Sequence, residues 1–174
     1  MNDYKKTRWL NYSLDLAKPE NLEQLSEFLK HSWKSSYIDL FPDSIPDKLF
    51  HKDTVRKWIV SQNIYVEIIR NCDEMIVACI IAFQNLNLVH IRKLYVHPDF
   101  QHQEFGTKLV NSLFIKFDTD KLFSLKLFAN NIKAYTFYCS MGFKEVDRID
   151  KDFFQQKVTF IIMQKNQSSP IHQN

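Results

Sequence analysis

Apolar and polar residues change period several times along the chain, and each change marks an element. YSLDLA near 12–17 alternates as a half-buried strand does. Pro19 at a first helical position, Glu20 and Glu23 in the first turn, and Leu22, Leu25, Leu29 and Trp33 on one stripe predict a helix over 19–34. YIDLFPDSIPDKLF, with two prolines and three aspartates, reads as a loop, after which Asp53 or Thr54 caps a short helix through Trp58 and Ile59. IYVEII (64–69), MIVACIIAF (75–83) and LVHIRKLYV (88–96) follow with Asn- or Asp-containing breaks that suit antiparallel hairpins. Beyond His97 the period becomes helical, placing Phe105, Leu109, Val110, Leu113, Phe114 and Phe117 on one face of a helix near 104–117. A strand at 122–128, a helix at 131–140 and strands at 143–148 and 157–164 complete a mixed α/β pattern.

Composition bounds the class. The 174 residues (20.8 kDa) are 45% apolar and 25% charged, and no repeat or linker divides them. We expect a single domain over 1–164 and a polar, frayed tail over 165–174. Surface scaling buries about 70% of such a chain, so no metal or disulfide staple is required, and no metal site is expected. Cys72, Cys79 and Cys139 lack metal-ligand spacing and read as reduced apolar residues. No stretch approaches the roughly 18 apolar residues of a membrane span, and the first residues lack the apolar run of a signal peptide, so a cytoplasmic protein without a membrane partner is expected. A net charge of +3, with both signs dispersed and Lys5, Lys6 and Arg8 the only basic cluster near the start, is too weak for a nucleic-acid footprint.

Glycine is scarce. Gly106 and Gly142 are the only two, where average usage near 7% would give about 12. Glycine reaches φ > 0 and lets other groups approach the backbone, so these positions mark where such needs arise. Gly106 sits where a buried strand passes through a polar loop into an amphipathic helix. The first amides of that helix face the loop without intrahelical acceptors, and the dipole adds about half a positive charge, which suits phosphate. No G-x-x-x-x-G-K-[ST] and no G-x-G-x-x-G occurs.

LYVHPDFQHQEFGTKLV (94–110) resembles the acyl-CoA-binding motif of the GNAT superfamily of N-acetyltransferases, [QR]-x-x-G-x-[GA] after a strand ending in L-x-V. Gln101 matches its first position and Gly106 its last. NIKAYTFYCSMGF (131–143) is similar to the family's second motif, N-x-x-A-x-x-F-Y-x-x-x-G-F, with Asn131, Ala134, Phe137, Tyr138, Gly142 and Phe143 matching. The resemblance covers residues 88–145 closely, and WKSSYIDLFP (33–42) is similar to the helix and loop over many family substrate sites. It implies an α/β fold with a central, mostly antiparallel twisted sheet of about six or seven strands flanked by about four helices. It also implies acetyl-CoA as cofactor and direct acetyl transfer to a primary amine of a small molecule or peptide.

By the family pattern, the backbone of Leu94, Tyr95 and Val96 holds the pantetheine or polarises the thioester carbonyl. Gln101, His102, Gln103, Glu104, Phe105, Gly106, Thr107 and Lys108 then cradle the diphosphate. Ala134, Phe137 and Tyr138 line the cofactor, and Asn131 bonds the pantetheine arm or the helix start. Tyr138 is the general acid for the leaving thiolate, or packs against pantetheine. His90, at a position where family members often carry a glutamate, is the base, or a water serves instead. Glu104 departs from the pattern, replacing its middle glycine. At an effective dielectric near 20, charges about 6 Å apart repel by nearly 3 kcal/mol before screening, so the carboxylate is expected to face solvent. That departure also motivates the alternative of a non-catalytic acyl-CoA-binding or interaction module.

Trp33 and Tyr37 are the candidate substrate-binding residues. Asp39, Asp43 and Asp47 after them, and Asp147, Asp150 and Asp152 between the last two strands, either draw a polyamine-like cation into flanking loops or serve as ordinary turn residues. Exposed sheet edges make a homodimer an option.

Overall fold

The structure is a computed structural model that describes residues 12–38, 40–117 and 120–166. Strands β1 (Tyr12–Leu16), β2 (Ile64–Asn71), β3 (Ile76–Gln84), β4 (Leu88–Val96), β5 (Leu122–Phe128), β6 (Lys144–Phe153) and β7 (Gln156–Asn166) form a seven-stranded sheet in the order β1-β2-β3-β4-β5-β7-β6. Helices α1 (Leu22–Ser36), α2 (Ile45–Leu49), α3 (Lys52–Val60), α4 (Phe105–Lys116) and α5 (Ile132–Ser140) accompany it, with 3-10 turns at Pro19–Asn21 and Pro98–Phe100. Two compact units divide the chain: residues 1–81 with 93–109, and 82–92 with 110–174.

In the first unit, β1 runs antiparallel to β2 from Tyr12↔Asn71 to Leu16↔Glu67. β3 is buried without interruption from Ile76 to Ala82, the pattern of a strand covered on both faces. The apolar stripe of α1 buries Leu22, Leu25, Phe28, Leu29 and Trp33, as its spacing predicts, and the Ser26 hydroxyl donates to the Phe50 carbonyl at 2.7 Å. The expected first turn of α1 is instead the 3-10 turn at Pro19. The proline-rich 37–50 segment contains α2, because Pro46 lies in its first turn, where a missing N–H costs nothing. Helix α3 is capped by His51, whose Nδ1 accepts the Asp53 amide at 3.4 Å, and not by Asp53 or Thr54.

In the second unit, β4 pairs in parallel with β5 from Leu88↔Leu122 to Ile91↔Leu125, and β7 runs antiparallel between β5 and β6. Phe154 and Gln155 turn the β6–β7 hairpin with φ of 48° and 66°, the backbone of a two-residue primed turn. This hairpin is longer than its sequence suggests. Asp147, Asp150 and Asp152 therefore lie within β6 and not in a loop, and Lys165 and Asn166 belong to β7 and not to the tail. The remaining tail residues, Asp39, and Lys5, Lys6 and Arg8 lie outside the described residues. Among the described residues, no helix is long and apolar enough to cross a membrane.

Candidate active site

β4 ends at Val96 and the chain enters the 3-10 turn, where His97 Nδ1 accepts the Asp99 amide at 3.3 Å. The sign of φ then alternates: −64° at Gln101, +61° at His102, +64° at Glu104 with Gln103 between them outside the positive region. Gln101 itself is extended, with ψ 164°, so the two left-handed residues, and not a continuous αR–αL alternation, shape this loop. Left-handed conformations cost on the order of 1–3 kcal/mol each in a residue with a side chain. Two of them thus stand in a row of four residues without a glycine.

α4 begins at Phe105, and its first intrahelical bond runs from the Lys108 amide to the Glu104 carbonyl at 2.9 Å. The amides ahead of Lys108 therefore have no acceptor within the helix, and the dipole adds its positive end there. Gly106 lies inside this turn without a positive φ, so its use is the absence of a side chain and not conformational freedom. Glu104 is the residue before the helix and not part of its first turn, and it is exposed, as are Gln101 and His102. Phe105 is buried, with its ring 4.9 Å from that of Tyr12. Burial holds the Lys108 ammonium below the usual lysine range, while the Glu67 carboxylate opposes that shift. Glu67 is only 6% exposed and accepts the Tyr65 hydroxyl at 2.8 Å. Tyr95, half-buried as are Leu94 and Val96, meets Phe50 edge-on at 6.4 Å.

In the other unit, the residues around Tyr138 form a capping framework. Asn131 Oδ1 accepts the Ala134 amide at 3.1 Å, which assigns its side chain to the start of α5. At the other end the Gly142 amide reaches the Cys139 carbonyl at 3.0 Å and the Phe143 amide reaches the Tyr138 carbonyl at 3.0 Å, the paired bonds of a Schellman cap. That cap needs a left-handed residue, and Gly142 has φ 86°. A Cβ there would meet Lys165 Nζ at 3.1 Å, and that ammonium donates to the Met141 carbonyl at 2.7 Å. Tyr138, 6% exposed, lies between the rings of Phe137 (5.1 Å) and Phe143 (5.4 Å), both edge-on.

His90 is half-buried on β4, and its Nδ1 lies 2.8 Å from Ser124 Oγ, its partner in the parallel register. Burial lowers its pKa from the ordinary histidine value, with Arg92 and Lys126 adding to the shift. Ser124 escapes sequence reasoning because nothing in the chain announces which residue of β5 faces His90.

Trp33 and Tyr37 fall together, at 5.1 Å between ring centroids, and Phe41 joins Trp33 at 5.4 Å. These rings, with His31 and Asp43, line a cavity of ≈ 460 Å³ in the first unit. Trp33 is 3% exposed and forms its floor, while Asp43 is exposed at its edge. Asp47 is engaged elsewhere, with Lys30 Nζ at 3.2 Å. Phe41 lies in the 33–42 stretch that resembles the family's substrate-site loop, and its packing on Trp33 singles it out there.

A coenzyme diphosphate suits the Gln101–Lys108 segment: amides lacking intrahelical acceptors and a residue without a side chain offer an anion hydrogen bonds that require no cation. The acetyltransferase (GNAT) domain profile matches residues 59–145. The chain is 22% identical over 152 residues to the spermidine N(1)-acetyltransferase of Thermoplasma acidophilum, covering 79% of this chain and 91% of that one. Among solved structures, PaiA N-acetyltransferase from T. acidophilum in complex with coenzyme A superposes with TM-score 0.76 at 22% identity, covering 90% of this chain and 99% of the other. The ribosomal-protein-S18-alanine N-acetyltransferase from Escherichia coli superposes with TM-score 0.73 at 17% identity, covering 94% and 98%. Half of the chain matches the family profile and the fold agrees over 90% of it, so the protein belongs to the GNAT family of acetyl-CoA-dependent N-acetyltransferases.

Proposed function

We propose that the acceptor is a primary amine of a polyamine-like small molecule. The observation that carries this reading is the Trp33–Tyr37–Phe41 cavity with Asp43 at its edge, since aromatic faces and a carboxylate suit a second ammonium group on a methylene chain. The likeness to a spermidine N(1)-acetyltransferase supports it. On β6, Asp150 accepts the Thr159 hydroxyl at 2.7 Å and Asp147 accepts the Arg148 amide at 2.8 Å, as ordinary strand carboxylates do.

Acetyl-CoA supplies a thioester whose acetyl group passes to the amine with a thiolate as leaving group. Main-chain amides of Gln101 to Lys108 would hold its diphosphate, and the Val96 amide would hold the pantetheine or polarise the thioester carbonyl. A lysine-like amine with pKa about 10.4 is neutral in roughly one molecule in 2,500 at pH 7, a deficit of about 4.6 kcal/mol that a positioned base helps to offset. His90 is that base: when Nδ1 carries its proton and donates to Ser124 Oγ, Nε2 accepts the amine's proton. The Tyr138 hydroxyl returns a proton to the sulfur, and the two caps of α5 fix where that hydroxyl stands.

The test is acetyl transfer to polyamines, aminoglycosides, amino acids and peptides with free N-termini, assayed side by side. Transfer to polyamines at the highest kcat/KM supports the reading. Transfer to peptides alone, the acceptor class of the E. coli structural relative, contradicts it.

A further inference from the structure

Tyr12 lies on β1, outside the stretch that matches the family profile, and takes no part in the chemistry above. Its ring meets Phe105 edge-on at 4.9 Å and Phe100 at 6.5 Å between centroids. Those two residues bracket the loop, one ending the 3-10 turn and the other opening α4. Between them, the Tyr12 hydroxyl donates to Gln103 Oε1 at 3.5 Å. One side chain from a distant strand thus touches both ends and the middle of the segment in which His102 and Glu104 hold φ of 61° and 64°. Left-handed residues that are not glycine persist only where their surroundings over-determine them. Tyr12 is itself well anchored, since β1 is registered on β2 and Asp15 pairs with Arg70 at 2.8 Å.

We infer that Tyr12 is a positioning residue for acetyl-CoA binding, its ring holding the glycine-free turn in the shape that presents the loop amides to the diphosphate. This rests on reading Gln101–Lys108 as the coenzyme site. The experiment compares Tyr12→Leu and Tyr12→Phe, each alone and in a background carrying His102→Gly and Glu104→Gly. Tyr12→Leu raises the KM for acetyl-CoA about tenfold, or about 1.4 kcal/mol, while kcat and the KM for the amine stay within about twofold. Tyr12→Phe keeps the ring and leaves all three near wild type. The glycines restore the acetyl-CoA KM of Tyr12→Leu, because glycine holds φ > 0 without support. A Tyr12→Leu protein with an unchanged acetyl-CoA KM, with all parameters lowered alike, or with no rescue by glycine overturns the inference. Should Tyr12→Leu not fold, Phe100→Leu removes the ring on which Tyr12 rests, and the same selective, glycine-rescued rise is expected; its absence overturns the inference too. Gly106→Glu separates the two readings by calorimetry with coenzyme A. Loss of binding there beside a normal Tyr12→Leu sinks the role of Tyr12 alone, whereas retained binding in Gly106→Glu sinks the site itself.

Discussion

His90 is kept neutral by burial first and by Arg92 and Lys126 second, while Ser124 holds one ring nitrogen. The direction of the shift fixes the pH dependence. A base with a lowered pKa is protonated, and inactive, only below that value, so kcat/KM should rise with pH through a midpoint under the ordinary 6.5 and level off above it. His90→Gln should flatten that acidic limb and lower kcat/KM about a hundredfold, within the range of a general base. A His90→Gln enzyme that keeps the limb would return the task to water. Tyr138→Phe keeps the packing against Phe137 and Phe143 and removes only the proton, so kcat should fall about a hundredfold with Tm unchanged. Turnover unchanged across alkaline pH would exclude the acid role.

Helix α5 shows what a motif is physically. Asn131 and Ala134 close its first turn, and Gly142 and Phe143 close its last, so residues that look like a signature are the two ends of the element that carries Tyr138. Asn131→Ala should cost about 1 kcal/mol of stability. Gly142→Ala should cost about 1–2 kcal/mol, because alanine at positive φ is strained and its Cβ crowds Lys165; thermal unfolding checks both. Elements bounded by a clear switch of period were legible: β5 matches the sequence reading residue for residue and α4 within a residue at either end. Helix α2 was hidden because prolines and aspartates signal a loop whether or not a first helical turn uses them. β6 was cut short because, in its burial pattern, few residues face the interior, leaving little alternation to read. Positive φ is read from glycine alone, yet Phe154 and Gln155 adopt it in their hairpin turn and Glu74 in the turn between β2 and β3, while His102 and Glu104 adopt it in a loop held by distant contacts. For the same reason the contact of Tyr12 with residues about 90 positions away has no local sign.

For the molecule as a whole, a net charge of +3 and a pI near 8.7 give only a weak field for either a polyanionic coenzyme or a polycationic acceptor. The proposed reading therefore assigns recognition to local geometry: main-chain amides at the start of α4 for the anion, and the Trp33, Tyr37 and Phe41 rings with Asp43 for the cation. The family, the fold class and the cofactor follow from patterns that lie along the chain. A partner such as Ser124 follows only from how it folds. The most direct measurement of the central claim is titration calorimetry of the purified protein with coenzyme A, beside Gly106→Glu. The account expects saturable binding by the native chain well below millimolar concentration and its loss when a side chain fills that turn. Absence of association at millimolar coenzyme A, or undiminished binding by the Gly106→Glu protein, would contradict it.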